Sequence, residues 1–428
     1  MSVDIFDKCK TDAGYFGYYR KAGDRDLTRP TMDPMPGKTM QYNGEEVVMW
    51  SVNNYIGLAE NEEIKAAAAE ALQEFGTSSP MGSRMMSGNT QHHQDLEQRL
   101  ADWSQKEAAY LFNFGYMGVL GIVSSLCGPK DTIVVDKLAH ACILDAAGMA
   151  KASGATIRYF KHNNMKDLES VLKQVNAKRE GGVMILIEGV YGMTGDLADL
   201  PGICELKEKY EARLFIDDAH GVGVIGEKGR GAGDFFGVQD KIDLYFGTFA
   251  KAFASIGGFV AADQDVVDWI AYNARTQVFA KSLPMVYVKT IDRALDFVID
   301  GDDRRKKMWD NSNKLKAGLK ELGYYIGPGE SPICSVFTPT GSDDVNGVGV
   351  KMVKYLRENK IFVTAVVYPV IPPGLCMFRM IPTTSHTDVE INRTIEVFAA
   401  MKKDLGLQDS VNGEDISKIN KVYRNIKG

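Results

Sequence analysis

Short apolar runs rich in β-branched and aromatic residues recur through the middle of the chain. Each is followed by a glycine- or asparagine-rich turn and then by a stretch of helical period. Residues 132–135, 156–160, 183–187, 213–216, 243–246 and 258–261 are the strand candidates. They lack polar alternation, as buried strands of a parallel sheet do. Helical segments lie between such strands, for example 95–106, where Leu96, Leu100 and Trp103 share one face. This alternation predicts an α/β sandwich with its ligand site at the carboxyl ends of the strands.

The pattern divides the chain into three parts. Residues 1–45 mix charges with Pro30, Pro34 and Pro36 and predict an N-terminal helix followed by an extended arm. The repeated strand–turn–helix pattern makes 46–290 a large domain. From 291 to 428, a long amphipathic helix and then short strands and helices predict a smaller α+β domain, with the polar tail 409–428 a surface helix or a frayed end. A length of 428 residues accommodates both domains. There is no internal repeat and no low-complexity tract.

Composition narrows the function. Hydrophobic residues at 45% and charged residues at 25% are the balance of a soluble globular protein. A net charge of −6 argues against nucleic acid as the main partner, because phosphate backbones need basic faces. The six cysteines lie far apart with no CxxC pair, which is neither zinc spacing nor a disulfide scaffold, so no metal site is expected. The first residues lack a signal peptide's basic region and apolar run. No stretch approaches the roughly 18 apolar residues of a membrane span. The expectation is a cytoplasmic protein with at most peripheral membrane contact.

Two runs carry the chemistry. In the first, a strand beginning at Leu214 ends in Asp217 and Asp218 and leads through Ala219 to His220 and a glycine-rich loop. Alone, this could be a capped turn with Asp218 or His220 bonding local backbone. In the second, a strand delivers Thr248 and Lys251 to a turn before another glycine-rich stretch. A lone lysine after a strand is ordinarily a solvated surface group. Here Phe249, Ala252, Phe253 and Ala254 surround it in sequence, which predicts a sheltered amine with a depressed pKa. Together the runs meet the needs of pyridoxal 5′-phosphate (PLP). Its aldehyde takes a lysine as a Schiff base. Its ring nitrogen stays protonated against a buried carboxylate, and its phosphate takes hydroxyls and backbone N–H groups at a helix N-terminus. Lys251 would bind the aldehyde, Asp217 the ring nitrogen, His220 the phenolic oxygen and Thr248 the phosphate.

With these runs in place, the chain from about 53 to 387 resembles the α-oxoamine synthases. These are fold-type I, aspartate aminotransferase-like PLP transferases with a large, mostly parallel α/β sandwich domain and a smaller α+β domain. Asn53-Asn-Tyr-Ile-Gly-Leu58 is similar to the family's substrate-side motif, which implies that Asn53 meets the amino-acid carboxylate. Gly82-Ser-Arg84, with Gly88 and His93, is similar to its active-site loop and following helix, which puts Arg84 on the substrate side. Phe114-Gly-Tyr116 resembles the phosphate-binding turn, so Gly115 and Tyr116 are cofactor contacts. His140 matches the histidine that stacks on the cofactor ring, and Glu188 opens the segment beneath the cofactor. Arg379 matches the arginine that binds the substrate carboxylate.

The resemblance also bears on substrate and assembly. Around Lys251, and over 278–284, the sequence is similar to the serine palmitoyltransferase branch, whereas 217–231 is as close to the 8-amino-7-oxononanoate synthases. In the family the 278–284 segment reaches the neighbouring subunit's phosphate, which implies a homodimer and a cofactor contact from Ser282. Three departures stand out. The loop 75–84 is one residue longer than usual, Gly192 replaces a common serine, and Lys281 adds positive charge. Loop and charge would suit an anionic side chain such as the sulfonate of cysteate, although neutral drift of the loop is the alternative. The implied activity is condensation of serine or cysteate with a long-chain acyl thioester, carried on coenzyme A or acyl carrier protein. It is decarboxylative and gives a 3-keto amine. Alternatives are 8-amino-7-oxononanoate synthase or glycine C-acetyltransferase activity, another PLP reaction, or a non-catalytic partner subunit. The last would lack the lysine.

Overall fold

The computed structural model describes residues 4–420 apart from 15, 18–19, 21–27, 36, 328, 339–346, 369, 372, 408–412, 414–415 and 418. Most of the polar tail and much of the predicted N-terminal helix lie outside the described residues. One described turn of 3-10 helix, Asp7–Lys10, falls inside the latter. The chain forms two compact units: Asn53–Gly192 with Asp196–Lys306, and Met1–Val52 with Met193–Gly195 and Lys307–Arg424.

This division departs from the three parts read from sequence. In the smaller unit, β1 (Met32–Asp33), β2 (Thr39–Tyr42) and β3 (Glu45–Met49) form an antiparallel meander. Val47 and Met49 pack against Phe362, and Trp50 enters the core that Phe378 and Phe398 also line. That apolar burial ties the strands β1 to β3 to the C-terminal part instead of leaving them in a separate arm. The other boundary falls near 306, inside helix Asp302–Glu321, because helix Met285–Ile299 packs against helix Glu62–Phe75 of the larger unit.

The larger unit is built on seven strands. They are β4 (Ala108–Phe112), β5 (Thr132–Asp136), β6 (Thr156–Phe160), β7 (Val183–Glu188), β8 (Arg213–Asp217), β9 (Leu244–Thr248) and β10 (Gly258–Ala262). Their order is β4-β10-β9-β8-β7-β5-β6, and β10 alone runs antiparallel to both neighbours. Every predicted strand is present. Five extend one or two residues past the predicted end, β10 to Ala262 and the other four, β5, β7, β8 and β9, to the polar residues Asp136, Glu188, Asp217 and Thr248. These polar residues read as turn in a pattern of apolar runs, yet all four are buried. They sit side by side at the carboxyl ends of neighbouring strands.

β4 was not among the candidates. Its Ala108-Ala109 start follows helix Gln91–Ser104 closely and continues the helical pattern, but Gln105 ends that helix in a left-handed conformation with φ 59°. The smaller unit is completed by β11 (Cys334–Phe337), β12 (Ile361–Phe362), β13 (Thr364–Val366) and β14 (Met377–Met380). β12 lies parallel to β3, and the other three form a sheet of order β11-β14-β13. Among the described residues, no helix is long and apolar enough to cross a membrane.

Candidate active site

Because β7 and β8 are parallel with Glu188 opposite Asp217, the two carboxylates emerge together. Asp217 accepts from the Ala219 N–H at 3.1 Å and the Cys142 thiol at 3.5 Å. Burial, and then the charge of Asp217, push Glu188 up to about 8, and Gly192 N–H donates to it at 3.0 Å. Asp218, the next residue, points to the opposite face, as the pleat requires. It is fully buried, accepts from Ala232 N–H at 2.7 Å and Tyr245 OH at 3.2 Å, and is pushed by burial up to about 8. A Cβ added to Gly231 or Gly221 would come within 1.9 or 2.1 Å of its carboxylate, so glycine is required at both. Asp218 therefore clamps the glycine-rich loop, and Asp217 is left facing the site.

Lys251 lies in the connection between β9 and β10, half-buried, where Ala254 N–H donates to its carbonyl at 2.9 Å. Its charge acts on Cys142, Glu188 and Asp218. His140 caps helix Ala141–Ala152 and is exposed, with Nδ1 3.0 Å from the Cys142 thiol. One ligand atom from each of His140, Cys142 and Asp217 falls within a 4.8 Å group. His220 is buried with Nδ1 2.8 Å from Tyr55 OH, and its ring lies against Gly192, where a Cβ would be 2.3 Å from Nε2. The missing side chain at Gly192 thus has a steric cause: the imidazole fills its place.

Thr248 Oγ1 donates to the Gly257 carbonyl at 2.9 Å. A Cβ on Gly115 would be 3.1 Å from that hydroxyl, so the start of helix Gly115–Leu126 closes onto Thr248. This helix has no side-chain cap, which leaves its first amides for an anion. Tyr116 is exposed and its hydroxyl donates to Asp145. These features fit PLP. An uncapped helix start beside a hydroxyl suits its phosphate, and a buried carboxylate pair suits its cationic ring nitrogen.

Other expected site residues lie elsewhere or are differently engaged. Arg84 is engaged within the chain. Its guanidinium makes a two-pronged pair with Glu97 at 2.7 and 2.9 Å, bonds Asn89 at 2.7 and 3.0 Å, and stacks 4.8 Å over Tyr110. Glu97 also accepts from Leu111 N–H, so through Glu97 the guanidinium of Arg84 fastens its loop to β4. His93 is fully buried and bonded to Leu283 O at 2.8 Å. Ser282 is buried, and its hydroxyl donates to Gly82 O at 3.0 Å within the chain. Lys281 bonds Ser78 Oγ in the longer loop. Asn53 is partly buried at the start of the larger unit. Arg379 lies on β14 of the smaller unit, paired with Ser335 and Thr364. Tyr55 and Cys142 were missed. Tyr55 stands inside the quoted Asn53–Leu58 motif and Cys142 two residues past His140, but only the fold shows what they touch.

A half-buried lysine after a strand, a buried carboxylate pair and an uncapped helix start, all on a mostly parallel sheet, define a PLP-dependent transferase of the aspartate aminotransferase fold. The chain belongs to the aminotransferase class I and II family, which it matches over residues 45–398, and within it to the α-oxoamine synthases, PLP-dependent C-acyltransferases. It is 42% identical to the cysteate-C-fatty acyltransferase of Capnocytophaga ochracea, across 96% of this chain and 98% of that protein. It is 36% identical to the serine palmitoyltransferase of Bacteriovorax stolpii, across 85% and 84%. The structure of serine palmitoyltransferase from S. paucimobilis with bound PLP and myriocin superimposes with a TM-score of 0.86 at 28% identity, covering 95% of this chain and all of that one.

Proposed function

We propose that the chain joins cysteate or serine to a long-chain fatty acyl thioester, with loss of carbon dioxide, to give a 3-keto amine. The observation that carries this reading is the near-full-length likeness to a cysteate-C-fatty acyltransferase. The cation of Lys281, bonded to Ser78 of the longer loop, supports an anionic amino-acid side chain.

When bound, PLP supplies an electron sink for charge at the amino acid's α-carbon. Lys251 would hold the cofactor, and its Nζ would take the α-proton of the amino acid. Asp217 would keep a proton on the ring nitrogen, His140 would contact the ring, and His220 would bond the phenolic oxygen. Thr248 and the amides of Gly115 and Tyr116 would hold the phosphate, joined by Ser282 of a second subunit in a homodimer. Asn53 and Arg379 take the substrate carboxylate, as the family resemblance implies. A carbon–carbon bond forms from the α-carbon to the acyl carbonyl, the carbon–sulfur bond breaks, and the thiol leaves. Loss of the carboxylate as carbon dioxide is followed by return of a proton. The expected setting is a cytoplasm, with coenzyme A or acyl carrier protein as the thiol.

The test is a matrix of acetyl, succinyl and palmitoyl donors against glycine, alanine, serine and cysteate, with released thiol and carbon dioxide both measured. Each buried methylene adds about 0.8 kcal/mol, so palmitoyl should outrun acetyl by a large factor. Best turnover with acetyl and glycine would move the chain to the acetyltransferases. Best turnover with alanine would move it toward 8-amino-7-oxononanoate synthase, a type also found among its relatives.

A further inference from the structure

His162 follows β6 by two residues and is 3% exposed. Its Nδ1 lies 3.0 and 3.2 Å from the two oxygens of Asp136, and its Nε2 lies 2.6 Å from Asp196. Both carboxylates are fully buried. A neutral imidazole has one N–H and one lone pair. With an anionic acceptor at each nitrogen, the lone pair would face a carboxylate, so the ring is held as imidazolium. Burial pulls its pKa down, but Asp136 and Asp196 outweigh this and push it up to about 10.

The two carboxylates belong to different parts of the site. Asp136 accepts from Leu138 N–H at 2.8 Å and Asn163 N–H at 3.0 Å, folding the turn that delivers His140 to its helix start. Asp196 stands on the hairpin after β7, where Tyr191 N–H donates to its carbonyl at 2.9 Å and Val190 pairs with Leu197. That hairpin carries Gly192, which donates to Glu188 and backs the His220 ring. The Tyr191 ring meets His162 edge-on at 4.4 Å.

We propose that His162 is a positioning residue, a buried cation that fastens the His140 turn to the Gly192 hairpin and offsets two carboxylates behind the cofactor site. Glu188 faces Asp217, Asp136, Lys251 and the Gly192 amide. The charge of Asp136 therefore reaches it, and His162 is the cation that tempers that charge. This role does not depend on which amino acid the enzyme uses.

The experiment follows the absorbance of the bound cofactor in the holoenzyme as pH is varied. His162→Gln leaves Asp136 and Asp196 without their cation. The more negative site favours the protonated cofactor, so the midpoint moves to higher pH and PLP binds about tenfold more weakly. Asp196→Asn removes one negative charge while the Asp136–His162 pair remains, so its midpoint moves to lower pH. Shifts of opposite sign support the charge role, whereas shifts of one sign, or none, overturn it. The wild-type holoenzyme gives a check that needs no variant. Nitrogen-15 resonances of His162 at pH 8 should show both ring nitrogens protonated, and a neutral tautomer there overturns the proposal.

Discussion

Glu188 and Asp217 are register partners on β7 and β8, so two buried carboxylates leave the sheet side by side. Two like charges that close in a dry site do not both persist, and Glu188, pushed to about 8 by burial and by Asp217, carries the proton at neutral pH. The pair then presents a single negative charge toward a ring-nitrogen cation. Asp217→Asn should lower kcat by roughly 10³-fold. Glu188→Gln, which mimics the protonated acid, should cost far less. Steady-state rates of the two variants decide this, and near-normal turnover in Asp217→Asn would pass the role to another carboxylate.

Borohydride reduction of the holoenzyme should fix a pyridoxyl group on Lys251, read by peptide mass spectrometry. Lys251→Ala should still bind some PLP but lose both the trapped group and turnover. A trapped group on any other lysine would remove Lys251 from the role its place after β9 gives it.

Gly192→Ser puts atoms where the His220 ring already lies, with a Cβ only 2.3 Å from Nε2. The ring must swing away from Tyr55, so the bound-cofactor spectrum should change and kcat should fall about tenfold or more. Tyr55→Phe, which loses only the hydroxyl at Nδ1, should show the same spectral change in weaker form. A Gly192→Ser enzyme with an unchanged spectrum would show that the ring is not held there.

Removing Arg84 strands Glu97 as a buried, unpaired charge. Arg84→Ala should cost about 3–5 kcal/mol of stability. Arg84→Lys should recover only part of it, because a lysine makes no two-pronged contact. The amino-acid KM of the lysine variant should stay near wild type. Denaturant unfolding and substrate titration together check this, and a large rise in KM with stability intact would restore a substrate role.

Acid should unsettle both units. Burial lowers His93, in the larger unit, and His386, in the smaller, from 6.5 to about 4 each. As pH falls below about 6.5 the unfolded chain takes up protons that the folded one refuses. Stability is therefore full above about 6.5 and drains away toward 4, by roughly 3 kcal/mol per histidine at most. Denaturant midpoints at pH 7 and 4.5 measure it, and His93→Gln should flatten the pH slope even as it lowers the plateau.

Much of this site was legible because its residues close apolar strands. Asp217, Thr248 and Lys251 follow runs whose pattern already reads as strand, and their order matches the chemistry of one cofactor. The order of residues already favours Asp217 over Asp218, and what the fold adds is the reason Asp218 is occupied elsewhere, caged by glycines up to thirteen residues away. The anchoring of Arg84 was not legible, because its partner Glu97, which also accepts from the amide of Leu111, meets it only through the fold. β4 was missed for a local reason, two alanines just past a helix end. The strand that ends the N-terminal part joined the smaller unit through Val47, Met49 and Trp50, whose clusters include Phe362 and Phe378, more than three hundred residues later.

The placement of β10 has a consequence for synthesis on the ribosome. Among the described strands β4 pairs only with β10, Phe112 opposite Gly258, so the strand that leads to the phosphate-binding helix start waits about 150 residues for its strand neighbour. β5 to β9 need only strands close to them in sequence and can assemble as they emerge. A nascent chain halted before Gly258 therefore exposes the hydrogen-bonding edges of both β4 and β9. The open edge strand is a hazard for aggregation, and the cofactor's phosphate cradle closes only when residue 262 has left the tunnel.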